Sequence, residues 1–148
     1  RDQSRGQPLI TAVLEQFTSE RIGITRYHDA YLDALTSPAT VPIWYEYTPG
    51  GDVRLTTKAS DRKAKLIERA GAVSLAVQRE EPPYQYVVGE GTVVGSEPTP
   101  LEFHQAIAIK YLGEEGGRAF IENFERVEST LFTIRPDRWI TADFSGVL

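Results

Sequence analysis

The chain has 148 residues, 41% of them hydrophobic, with a net charge of −5 and no cysteine. That composition suits a single globular domain over residues 1–148. It excludes disulfides, thiolate catalysis and cysteine-based zinc or iron–sulfur sites. The acidic balance argues against a broad nucleic-acid surface, which needs a sizeable positive field. No apolar run reaches the roughly 18 residues of a membrane span, and the opening residues do not lead into a signal-peptide core. A reducing, cytoplasmic setting is the expectation.

In chain order, Ile10, Val13, Leu14 and Phe17 fall at helical spacing, so Pro8 to Phe17 reads as a short amphipathic helix. From Arg21 the pattern turns to short extended runs. Ile22 and Ile24 alternate over Arg21–Arg26, and Thr40–Tyr47 carries Val41, Ile43, Trp44, Tyr45 and Tyr47. Between them, Tyr27 to Ser37 fits either a strand or a turn of helix. Thr48-Pro49-Gly50-Gly51 has hairpin chemistry and leads into a strand at Asp52–Thr57. A helix over Arg62–Ala70 follows, with Gly71 placed to cap it. Val73, Leu75 and Val77 then alternate along a strand, and Pro82 and Pro83 force a turn. Tyr84–Gly95 reads as a long strand, in which Gly89 and Gly91 mark a bulge or bend. Thr99-Pro100-Leu101-Glu102 is a capping box with proline in the first helical position. This helix should end at Gly113, and a second helix should occupy Gly117–Arg126. A last strand, Ser129–Arg135, ends where Pro136 begins a tail. Many short antiparallel strands with few helices indicate a mainly β chain, a small barrel with peripheral helices.

Leu55 to Ala70 carries the clearest chemical signal. Lys58, Arg62, Lys63, Lys65 and Arg69 face only Asp61 and Glu68, a local excess of three positive charges in an acidic chain. A strand end, a small-residue turn and a helix start among clustered cations suit an anionic group, most naturally a phosphate. An exposed basic helix face explains the same charges. His28 and His104 lack metal-ligand spacing, His104 being expected to face solvent, and no metal site is expected. No nucleophile elbow or P-loop occurs. Tyr84 and Tyr86 share a strand face suited to packing or substrate contact.

Taken together, Val41-Pro42-Ile43-Trp44-Tyr45-Glu46-Tyr47, the Gly-Gly hairpin, Thr57-x-x-x-x-Arg62-Lys63 and Val73-Ser74-Leu75 resemble the split-β-barrel flavin and deazaflavin oxidoreductases. This is the pyridoxamine 5'-phosphate oxidase-like class, and the likeness covers Arg21 to Gly95, with support from the Pro-Asp-Arg-Trp tail. The resemblance implies a six-stranded antiparallel split β-barrel and a homodimer holding F420 or FMN between subunits. It implies hydride transfer to or from a small-molecule substrate, and no nucleic-acid or membrane partner. Pro42, Ile43 and Trp44 would lie beside the cofactor ring. Thr57 and Lys63 would hold the phosphate, with Arg62 and Lys65 in support. Lys58, where relatives often have glycine, would reach the cofactor tail. Asp61 stands where relatives often have serine; Ser60 would take over the hydroxyl role, with Asp61 turned outward as a helix cap. Trp139 would approach the neighbouring subunit's groove from the tail. Two other readings fit the same residues: a carrier that holds a flavin or F420 without turnover, and a β-barrel interaction module with no cofactor.

Overall fold

The computed structural model describes residues 20–24, 39–79, 81–124 and 127–146. The expected helix over Pro8–Phe17 and the stretch from Tyr27 to Ser37 lie outside them. The described elements are β1 (Glu20–Ile24), β2 (Ala39–Val41), β3 (Tyr45–Tyr47), β4 (Val53–Lys58), α1 (Arg62–Ala70), β5 (Ala72–Gln78), β6 (Gln85–Pro98), α2 (Leu101–Phe124) and β7 (Ser129–Asp143).

All seven strands join one sheet in the order β2-β1-β5-β6-β7-β4-β3, and every neighbouring pair is antiparallel. The edge strands β2 and β3 are consecutive in the chain, with only Pro42, Ile43 and Trp44 between them. In a flat sheet six strand spacings would hold them about 29 Å apart. Four Cα steps span about 15 Å at most. The sheet therefore curls until its two edges approach. Seven strands form the sheet where six were expected, and no ladder joins its two edges among the described residues. The expected strand over Thr40–Tyr47 is interrupted for a related reason: Pro42 cannot donate to a ladder, and residues 42–44 form the crossing between edges.

Local chemistry explains the individual elements. The Thr48–Gly51 turn closes with the Gly51 amide donating to the Thr48 carbonyl at 2.8 Å, and Gly50 has φ 73°. A positive φ after Pro49 is the geometry of a type II turn, where glycine is unstrained. In α1, Ala64 and Ile67 fall three apart on the buried face. The helix ends at Gly71, whose left-handed backbone lets its amide donate to the Ile67 carbonyl at 2.9 Å. Val53 and Leu55 from β4, Val73, Leu75 and Val77 from β5, Val87 from β6 and Phe132 and Ile134 from β7 fill the sheet interior with Tyr45 and the two α1 residues.

Near its start, at Leu131 and Phe132, β7 is buried on both faces. Phe132 points into that core, while Leu131 meets Phe103 and Ile107 of α2 on the other side. The strand also runs on through Pro136 to Asp143, although a stop was expected there. Pro136 pairs with Gly91 at the point where the β6–β7 register shifts, and a bulge tolerates a residue with no amide proton.

Helix α2 is folded back on itself. At Gly113 the backbone turns to φ 76°, ψ 172°, as expected from the sequence. His104 and Phe124 would stand about 30 Å apart on a straight helix. Their ring centroids are 6.2 Å apart. The two halves therefore pack as a helical hairpin, and Gly117 allows the contact. A Cβ there would fall 2.6 Å from the backbone of Ile109.

Candidate functional site

A cleft of about 320 Å³ opens where the crossing segment, the end of β4, the start of α1 and the α2 hairpin meet. That volume is within the range of small-molecule and cofactor sites. Pro42, Ile43 and Trp44 come from the crossing, and Thr56, Thr57 and Lys58 from β4. Asp61 and Lys63 flank the start of α1, His104, Phe120 and Phe124 come from α2, and Ser129 opens β7.

One wall is aromatic. The Trp44 ring stacks on Tyr111 at 5.2 Å and 8°, and meets Phe120 at 5.2 Å. Phe120 stacks on Phe124 at 4.4 Å, and His104 stands edge-on to both at 6.3 and 6.2 Å. Burial pushes the His104 imidazole below its ordinary pKa, because desolvation disfavours the charged ring. His104 is thus a half-buried, neutral part of the aromatic wall, which corrects the solvent-facing position expected for it.

The other wall is polar. Lys58 extends its ammonium over the Phe124 ring, 5.2 Å from the centroid. Lys63 lies 3.7 Å from the Asp61 carboxylate. Thr57 is buried, and its hydroxyl donates to the same carboxylate at 3.5 Å. Asp61 occupies the position before α1 yet makes no side-chain cap to the helix amides. The expected outward, capping Asp61 is therefore corrected. The carboxylate faces the cleft because a cation and a hydroxyl there offer it partners.

Of the ten residues singled out from sequence, Pro42, Ile43, Trp44, Thr57, Lys58 and Lys63 meet at this cleft. Ser60, Arg62, Lys65 and Trp139 do not. Ser60, Arg62 and Lys65 are exposed outside its lining. Trp139 lies in β7, where its ring packs over Gly89 and meets Tyr47 edge-on at 5.7 Å. It belongs to the core margin, because β7 continues as a strand and does not become a tail. Sequence reasoning missed His104, Phe120 and Phe124. Their i, i+4 aromatic pair beside a small Gly117 is the pattern that would have placed them on one hairpin face.

No protein-family model and no curated protein matches the chain. Solved structures do. An F420 reductase superimposes with a TM-score of 0.65 at 19% identity, covering 87% of this chain and 94% of that one. A putative pyridoxamine 5'-phosphate oxidase from Listeria innocua gives 0.57 at 10%, covering 91% and 96%. HutZ, a heme storage protein from Vibrio cholerae, gives 0.58 at 14%, covering 90% and 92%. The chain shares the fold of the flavin and deazaflavin split-barrel proteins. At these identities the likeness is one of fold.

Proposed function

We propose that the chain is an F420- or FMN-dependent oxidoreductase that transfers a hydride between the cofactor and a small organic substrate. The observation that carries this reading is a single cleft with an aromatic wall and a cationic wall. Trp44, Phe120, Phe124 and His104 offer flat apolar surface to a tricyclic ring. Lys58, Lys63 and Thr57 offer charge and a hydroxyl to an anionic tail. The donor set therefore fits such a cofactor, and the shared fold supports the choice.

A flavin or deazaflavin supplies the hydride chemistry itself, while the protein binds, orients and tunes. Lys63 and Lys58 would fix the tail, Pro42–Trp44 would border the ring, and neutral His104 would keep that end of the cleft apolar. We further propose a cytoplasmic homodimer in which a second copy completes the cofactor groove. Light scattering at micromolar concentration tests the assembly, and a monomer mass would contradict it.

A second reading is a carrier that holds the cofactor without turnover. It is favoured by the heme storage protein among the structures of this fold. Single-turnover mixing with reduced cofactor across a panel of small oxidants separates the two. Oxidation coupled to substrate reduction supports the enzyme; unchanged reduced cofactor supports the carrier.

A further inference from the structure

We infer that Asp61 is a specificity-determining residue that tunes the cleft to a singly charged phosphodiester and against a doubly charged phosphate monoester. The inference rests on the cofactor-binding reading above and adds the charge class of the ligand.

The polar wall holds Lys58, Lys63 and Asp61, and His104 is neutral, so its formal charge near neutral pH is +1. A phosphate monoester, as in FMN, carries about −1.5 to −2 at pH 7, its second pKa lying near 6. A phosphodiester, as in F420, carries one phosphate charge at any pH above the acid range. The diester charge is matched by the wall, whereas the second monoester charge is unmatched.

Asp61 is placed to impose that difference. Its carboxylate is 3.7 Å from the Lys63 ammonium and 3.5 Å from the Thr57 hydroxyl. Those are the two groups at this end of the cleft best suited to hold phosphate oxygens. A phosphate must share Lys63 and Thr57 with a fixed anion, and each phosphate charge meets the repulsion separately. The carboxylate also has no cap role to explain its direction, since no helix amide bonds to it. At a partly exposed site this repulsion amounts to about five-fold in affinity per phosphate charge.

The test titrates the full chain and its Asp61→Asn variant with FMN, F420 and riboflavin at about pH 7.5, where the monoester is largely dianionic. Asparagine keeps the shape and the oxygen facing Thr57 but removes the charge. Asp61→Ser serves as a second variant should the first fold poorly. The expected result is that FMN tightens about 25-fold and F420 about five-fold, while riboflavin, which has no phosphate, stays within about two-fold. An unmoved FMN-to-F420 ratio, or a riboflavin shift as large as that of FMN, overturns the role of Asp61 and leaves the cofactor-binding reading standing. Absence of binding by all three ligands in every protein overturns both.

Discussion

The Tyr111 hydroxyl meets both backbone polar groups of Tyr45: it lies 3.2 Å from the amide nitrogen, from which it accepts, and 3.3 Å from the carbonyl oxygen. Lys110 donates to that same carbonyl at 2.9 Å. Tyr45 belongs to β3, an edge of the sheet, and an edge strand presents backbone groups that must be covered. Helix α2 covers them with side chains, and the Tyr111 ring also backs Trp44 at the cleft. One helical turn thus seals the sheet edge and positions the aromatic wall.

Removing only that hydroxyl tests the arrangement. Tyr111→Phe should lower stability by about 1–2 kcal/mol, because a half-buried amide loses its acceptor. The stacking surface on Trp44 remains, so ligand affinity should change little. Chemical denaturation and a parallel titration check both halves; an unchanged midpoint would contradict the edge-sealing role.

Gly117→Ala probes the helical hairpin. The new methyl would fall 2.6 Å from the Ile109 backbone, and backbone cannot yield as a side-chain tip can. The two halves of α2 must then part, at a cost of about 1–3 kcal/mol. Phe120 and Phe124 would shift away from His104, so ligand affinity should fall together with stability. A variant with normal affinity would show that the hairpin does not build the cleft wall.

Removing one charge at a time separates Lys63 from its neighbours on α1. Lys63→Ala removes a cation lining the cleft and should weaken binding of a phosphate-bearing ligand by about 1.5–3 kcal/mol. Lys65→Ala and Arg62→Ala remove exposed charges outside it and should change affinity by less than about 0.5 kcal/mol after screening. Equal effects from all three would favour a diffuse basic helix face over a cleft.

His104 predicts a pH dependence. Its folded-state pKa is lowered by burial, so below the unfolded value near 6.5 the unfolded chain binds more protons than the folded one. The contribution is therefore fully present above about pH 6.5 and is lost as the pH falls through the folded pKa. Thermal melts should move down between neutral and mildly acidic pH. His104→Phe, which keeps the aromatic wall and removes the titration, should flatten that part of the profile. An identical slope in the variant would assign the effect elsewhere.

Much of this was legible in the sequence where local physics decides. The Thr48–Gly51 turn, α1 with its Gly71 cap, the alternation of β5 and the break at Gly113 each follow from a few adjacent residues. Pro42–Trp44, Thr57, Lys58 and Lys63 are drawn together by the resemblance to the split-barrel class, not by local physics, and they line one cleft. What escaped depends on partners distant in sequence. Pro136 ends a strand by local rules, but opposite Gly91 it sits in a bulge. His104 on an isolated helix would face water; the fold-back of α2 sets it against Phe120 and Phe124. Asp61 before a helix should cap it, yet a cation two residues on and a buried threonine hydroxyl turn it into the cleft.

The central claim is that the cleft between Trp44 and Lys63 binds a flavin-type cofactor, and an equilibrium titration of the purified chain with F420 and FMN tests it most directly. The account predicts saturable binding of at least one of them, with F420 the tighter, and marked weakening of that binding in Lys63→Ala. Failure of both ligands to bind, or binding indifferent to Lys63, would contradict it.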